Sequence, residues 1–152
     1  MAGIVFDTNI WISHKPTSLP RSLQMSVVVL QELIAGAPDP TVVKKYEAAW
    51  KRYEQEGKLL VPTAEDWVIA GRVLNALLRG LKSKNNGKTP RLSDQEKQRI
   101  VRDVLIARCV KRSGATLVTD NLKDFKAIHR FCSLKIKSGR EFFSSTGGRR
   151  GH

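Results

Sequence analysis

Short apolar runs alternate along this chain with longer stretches of helical periodicity. Gly3–Phe6, "GIVF", is a continuous apolar run of buried-strand character that ends on Asp7. Leu23–Leu30 is apolar and β-branched and runs into "LQELIAGA", a helix that Gly36 closes. Asp39-Pro40-Thr41 opens a helix to Glu56, in which Val43, Tyr46, Trp50 and Tyr53 keep the 3.6-residue period and Gly57 ends the pattern. "KLLVP" predicts a short strand. Thr63 to Leu81 predicts a long helix, capped by Thr63, acidic in its first turn, with a stripe of Trp67, Ala70, Leu74 and Leu78.

The polar, basic segment 82–91, "KSKNNGKTPR", predicts a loop. Ser93 and Glu96 form a capping box for a helix reaching Arg112, ended by Ser113-Gly114. "ATLVT" reads as a strand, "NLKDFKAIHRF" as a short helix and "LKIKS" as a last strand, before a frayed tail, "STGGRRGH". There are no internal repeats. Strands alternating with helices predict βαβ crossovers and a three-layer α/β/α fold around a central, mainly parallel sheet. Residues 1–143 form a single domain in this reading, and 144–152 a disordered tail. Such sheets bind ligands outside the carboxyl ends of their strands, where the strand order switches. Asp7 and Thr119-Asp120 both stand at strand carboxyl ends.

Composition narrows the function. At 152 residues the chain can bury a substantial core, roughly 70% of its unfolded surface. No apolar run approaches the ~20 residues needed to span a bilayer, and no basic, then apolar, leader opens the chain, so a cytoplasmic protein is expected. Cys109 and Cys132 lack a C-x-x-C spacing, which argues against a zinc site or a disulfide framework. The 27 Lys+Arg against 14 Asp+Glu leave a net charge of +13, an attraction for polyanions such as a phosphate backbone. The excess is concentrated: eleven Lys/Arg and three acids lie between Arg79 and Arg112.

Against that background the acids stand out. Glu47, Glu54, Glu56, Glu65, Asp66, Asp94 and Glu96 fit exposed helix faces or first turns. Asp7 instead ends a buried strand, Glu32 has apolar or small helical neighbours, and Asp103 shares a stripe with Ile100, Ala107 and Val110. Asp120, Asn121 and Asp124 cluster in "VTDNLKDF". A carboxylate among apolar residues is costly unless it is paired or bound to a cation. Each has a structural explanation by itself, as a cap, a turn residue or a partner of arginine. Carboxylates converging in so basic a protein point to a hard divalent cation, Mg²⁺ or Mn²⁺, which prefers oxygen ligands. The three histidines are scattered, at His14, His129 and His152, and no triad or glycine-rich phosphate loop is present.

"FDTN" at the N-terminus, then "LQELIAG", then "DVLIARCVKRSGATLVTDNLKDF" resemble the motifs of the PIN-domain nucleases, in particular the VapC-type toxins of toxin–antitoxin pairs. The resemblance covers Gly3 to about Phe143, and Asp7, Glu32 and Asp103 match cleanly. In the family's last motif, T-x-N/D-x-x-D-F, the fourth site residue falls on Asn121 or Asp124, and Asp120 occupies a variable position; which of the three completes the site stays open. The resemblance implies metal-dependent hydrolysis of an RNA phosphodiester. Asp7, Asp103 and Glu32 would hold the metal, Asp120 or Asp124 would tune it, and Thr8, Asn9, Thr119 and Asn121 would form the surroundings of the site.

Water rather than the 2′-hydroxyl would attack, leaving a 5′-phosphate and a 3′-hydroxyl. Lys82, Lys84, Lys88, Arg91 and Arg102, with further basic residues of the same helix (Arg99, Arg108, Lys111, Arg112), would contact RNA phosphates without reading sequence. The resemblance also implies a homodimer silenced by a small antitoxin, with Trp11, Ile12, Trp50 and Trp67 available to line a groove or a dimer face. A PIN-type nuclease of RNA maturation and a non-catalytic RNA-binding module are the alternatives. Buried like charges give a pure binder no benefit.

Overall fold

A computed structural model describes residues 3–88 and 92–150. Five strands, β1 (Ile4–Phe6), β2 (Leu23–Ser26), β3 (Leu59–Leu60), β4 (Thr116–Val118) and β5 (Lys135–Lys137), form one sheet in the order β3-β2-β1-β4-β5. Every pairing is parallel: Ile4 lies beside Leu23 on one side and Thr116 on the other. From β1 the chain moves outward to β2 and β3, then returns across the sheet to β4 and β5. Right-handed crossovers in opposite directions place helices on both faces, the expected α/β/α arrangement. The point of reversal is between β1 and β4.

The helices are α1 (Thr8–Ser13), α2 (Val27–Ala35), α3 (Pro40–Gln55), α4 (Ala64–Lys84), α5 (Asp94–Ser113), α6 (Leu122–Ile128) and α7 (Gly139–Arg150). Most starts are capped as the sequence predicts: Asp39 for α3, Thr63 for α4 and Ser93 for α5, the last two as complete capping boxes. Gly114 ends α5 in the left-handed region, at φ 72°. The core lies between sheet and helices, with Val5, Phe6, Leu117 and Val118 from the strands meeting Ile10, Val29, Val104 and Ile106.

Several elements depart from the sequence reading. The apolar run Leu23–Leu30 divides at Ser26, whose hydroxyl accepts hydrogen bonds from Val28 N–H and Val29 N–H and so starts α2 inside the run. Helix α4 continues past Leu81, so Lys82 and Lys84 lie in its last turn and not on a loop. There their charges complement the negative end of the helix dipole. Arg91 lies outside the described residues. Helix α7 spans Gly139–Arg150 and so runs into the segment read as a frayed tail from 144. It is anchored by Phe142 and Phe143, whose rings pack at 5.5 and 5.8 Å from Phe6.

Asp66 differs most from expectation. It is fully buried, where its first-turn position suggested exposure. Its Oδ2 accepts from Thr63 N–H at 2.8 Å and from Arg112, and its Oδ1 accepts from Arg108 Nε at 2.7 Å. Burial works against its charge, but Arg112, Arg108 and Thr63 outweigh burial and hold its pKa at about 2. Arg108 and Arg112 thus clamp α5 onto α4 and are engaged away from any phosphate. Removing one partner of such a cluster strands buried charge. Asp66→Ala is expected to lose about 3 kcal/mol of stability at neutral pH by denaturant titration. The charge stabilises the fold above the ordinary carboxylate pKa, so the deficit relative to the parent should shrink as pH falls from about 4 toward 2.

Candidate active site

Asp7 leaves the carboxyl end of β1 and caps α1 at once. Its backbone N–H donates to Val118 O at 3.0 Å, tying it to the end of β4 at the reversal point. Its Oδ1 accepts from Thr8 N–H at 2.8 Å. Its Oδ2 accepts from the Thr119 hydroxyl at 2.8 Å and from Asn9 Nδ2 at 3.1 Å. Asp7 is 4% exposed. Burial raises its pKa, against the opposing hydrogen bonds of Thr119, Thr8 and Asn9, and the charge of Asp124 adds to the rise. Capping and site roles are therefore served by different oxygens of one carboxylate.

Three more carboxylates arrive from three helices. Asp103 of α5 is 9% exposed, and among the described residues nothing donates a hydrogen bond to it. Burial pushes its pKa up to about 8, helped by repulsion from Asp7, Asp124 and Glu32 and only partly offset by Arg102. Glu32 of α2 is also raised, by burial first; Arg102 opposes the rise and Asp7 adds to it. Arg102 Nη1 donates to Glu32 Oε2 at 3.3 Å. The Thr8 hydroxyl favours the charged form of Glu32 by proximity, yet it is buried without a hydrogen bond of regular geometry. Asp124, in the first turn of α6, is half-buried and its charge acts on both Asp7 and Asp103.

Asp120 belongs to a different arrangement. Its Oδ2 lies 2.8 Å from His14 Nε2 and its Oδ1 accepts Gly139 N–H at 2.9 Å. Burial would raise its pKa, but His14 and the Gly139 N–H bring it below the ordinary value. His14 in turn stacks on Phe143, with ring centroids 5.0 Å apart. This contact leaves no room for a side chain at residue 139, since a Cβ on Gly139 would fall 2.4 Å from His14 Nε2. Asp120 thus ties α1 to α7. Asn121 contributes its backbone N–H, donated to Thr119 Oγ1 at 3.0 Å. Of the three residues left open by the sequence, Asp124 is the one whose charge reaches Asp7 and Asp103.

A cleft of about 390 Å³ leads away from Asp103 and Asp124 between α4, α5 and α6. Leu81, Ile100 and Ile128 give it apolar walls, and Lys84, Arg99 and Arg130 line it with positive charge. Of the residues expected to meet phosphate, Lys84 lines this cleft, Lys82 and Lys88 are exposed, and Arg102 turns to Glu32. Arg130 was not singled out from sequence, because its position depends on how α6 packs on α5.

The donor set suits a hard divalent cation by its chemistry: clustered carboxylate oxygens, one of them bare of hydrogen bonds, whose repulsion positive charge would relieve. Asp7, Glu32 and Asp103 would be the residues to hold it. As they stand, among the described residues, no three His, Cys, Asp or Glu side chains are grouped closely enough to grip one ion. No helix among these residues is long and apolar enough to cross a membrane.

The sequence matches no protein-family model and no curated protein. The fold does have relatives. The chain is similar to one in the crystal structure of DNA-bound VapBC from Salmonella typhimurium, with 19% identity and a TM-score of 0.52 over 91% of this chain and 99% of that one. It is likewise similar to one in VapBC-1 from nontypeable Haemophilus influenzae, with 23% identity and a TM-score of 0.52 over 90% and 97%. The likeness is one of fold and runs nearly end to end on both sides, in agreement with the PIN-like architecture that the motifs imply.

Repulsion at the cluster makes a prediction about stability. An unfolded Asp103 ionises near 3.8 and the folded one near 8, so its ionisation opposes folding increasingly as pH rises through that interval. In chelator at about pH 7.5, Asp103→Asn is expected to be more stable than the parent by more than about 1 kcal/mol. The gain should fade toward about pH 3, below the unfolded value, where unfolded and folded forms are both largely protonated at this site. Melting curves at the two pH values decide it; a variant less stable than the parent at both would contradict the repulsion.

Proposed function

We propose that this protein is a divalent-cation-dependent endoribonuclease, the VapC-type toxin of a type II toxin–antitoxin pair, acting in the cytoplasm. The observation that carries the proposal is the meeting of Asp7, Glu32, Asp103 and Asp124, from four different elements, at the carboxyl edge of a parallel sheet where strand order reverses. Structural economy does not account for it: burial, and after it the charges of Asp7, Asp124 and Glu32, push the Asp103 pKa up, so ionising the cluster works against folding. Active sites are where such destabilised groups collect.

Asp7, Glu32 and Asp103 would hold Mg²⁺ or Mn²⁺, which would supply an activated water and offset charge on the phosphate. The remaining work is done by the chain. Thr119, Thr8 and Asn9 fix the Asp7 carboxylate so that it does not rotate away. Asp124 adds negative charge at the mouth of the cleft and orients water there. Lys84, Arg99 and Arg130 bind the phosphates flanking the scissile bond, while Leu81, Ile100 and Ile128 take the apolar face of an unstacked base. Water attack leaves a 5′-phosphate and a 3′-hydroxyl.

An antitoxin has a natural approach. Ile12 is 59% exposed and, with Trp11 and Tyr46, lines a groove of about 460 Å³ that also includes Glu32. A partner segment lying there reaches Glu32 of the acidic site. Trp50 and Trp67 are also exposed and provide further apolar surface for a partner or a second copy.

Cleavage assays on single-stranded RNA with Mn²⁺ or Mg²⁺ test the assignment. Asp7→Asn, Asp103→Asn and Asp124→Asn should each lower the rate by more than about a hundredfold with circular dichroism unchanged. Asp120→Asn, turned away from the cluster, should stay within a few-fold of the parent. Cleavage at the parent's rate by the Asp7 and Asp103 variants, or independent of metal, would overturn the proposal.

A further inference from the structure

Arg102 precedes Asp103 on α5, yet it does not share the fate of Arg108 and Arg112, which are taken up by Asp66. Its guanidinium enters the carboxylate cluster and meets Glu32 through one long hydrogen bond, Nη1 to Oε2 at 3.3 Å. A guanidinium and a carboxylate committed to each other form two parallel, shorter bonds. Here the second bond is missing, and Arg102 Nε is buried with no hydrogen-bond partner among the described residues. Both side chains keep some solvent, 38% for Arg102 and 23% for Glu32. The pair is held by charge and not by fit. Among the described residues, with Glu32 paired to Arg102, no three His, Cys, Asp or Glu side chains are grouped to grip an ion.

A second place for the guanidinium lies next to it. Arg102 lines a cavity of about 460 Å³ between α2, α4 and α5, together with Gln31, Trp67, Leu74 and Gln98. Trp67 is 57% exposed there, and an indole face is the preferred aromatic surface for a guanidinium. Gln31 and Gln98 offer side-chain oxygens as acceptors.

We infer that Arg102 is a displaceable internal counter-ion: it occupies Glu32 in the metal-free protein and must swing toward the Trp67 cavity before Glu32 can join Asp7 and Asp103 around a cation. The inference rests on the proposed metal site. Arg102 is therefore a positioning residue that sets the metal affinity of the site, weakening it in exchange for a quieter metal-free state. A site so arranged fills only when divalent cation is plentiful enough to displace a tethered positive charge.

The test is calorimetric titration of Mn²⁺ into the full-length protein without RNA, at fixed ionic strength. The parent should show a binding isotherm that Asp7→Asn removes. Arg102→Met, and Arg102→Gln as a second neutral variant, should bind Mn²⁺ about tenfold more tightly, since an opposing charge a few ångströms away has been removed. Arg102→Lys, which restores the charge, should return within about threefold of the parent, and Lys111→Met, a charge lost from the same helix without contact to Glu32 or the Trp67 cavity, should change affinity less than about twofold. If the parent binds and the neutral Arg102 variants bind no more tightly, the counter-ion role is wrong and the metal site stands. A Lys111→Met gain as large as that of Arg102→Met also overturns it, by reducing the effect to net charge. If the parent shows no isotherm that Asp7→Asn removes, the proposed site fails and the inference fails with it.

Discussion

The site depends on a carboxylate that takes no part in it. Asp66, buried at the start of α4, binds Arg108 and Arg112 and so fixes both the rotation and the height of α5. Asp103 stands five residues before Arg108 on that helix, about 140° around it, so the face opposite the clamp is the one presented to Asp7 and Asp124. An isolated α5 has no reason to turn Asp103 inward, because desolvating that carboxyl is unfavourable. The ion cluster behind the helix supplies the opposing force. One group of charges is satisfied so that another can remain unsatisfied.

Within the site the burden is shared unequally. Asp7 has three hydrogen-bond donors and Asp103 has none among the described residues, although both are buried. Environments that separate two carboxyls in this way leave one fixed in orientation and the other free to adapt. The hydrogen bonds to Asp7 come from residues on both sides of the β1–β4 reversal, Thr8 and Asn9 on one and Thr119 on the other. The same contacts that hold the carboxylate therefore also fasten the two central strands at their ends.

Much of this was legible beforehand because it is local. Alternating strands and helices gave the parallel sheet, the capping residues gave the starts of α3, α4 and α5, and "FDTN" with "TDNLKDF" put polar side chains at strand ends. What the sequence could not give is where a helix faces after packing. Asp66 looked like a first-turn acid on a solvent face because its partners, Arg108 and Arg112, are more than forty residues away. Asp120 and Asp124 were indistinguishable in the motif; only the arrival of His14 and Gly139 beside Asp120 separates them. Helix α7 was missed because its glycines and serines are poor helix formers, and its anchor is the contact of Phe142 and Phe143 with Phe6, at the far end of the chain.

The central position of β1 also has a consequence in time. Synthesis delivers Asp7 more than a hundred residues before the Thr119 hydroxyl, with its neighbour β4 close to the latter and Asp124 later still. Until those have left the ribosome, β1 has one parallel partner and an open flank, and the carboxylates are spread along a chain with no shared edge to meet on. A ribosome-bound fragment therefore has the letters of the acidic site without the site itself.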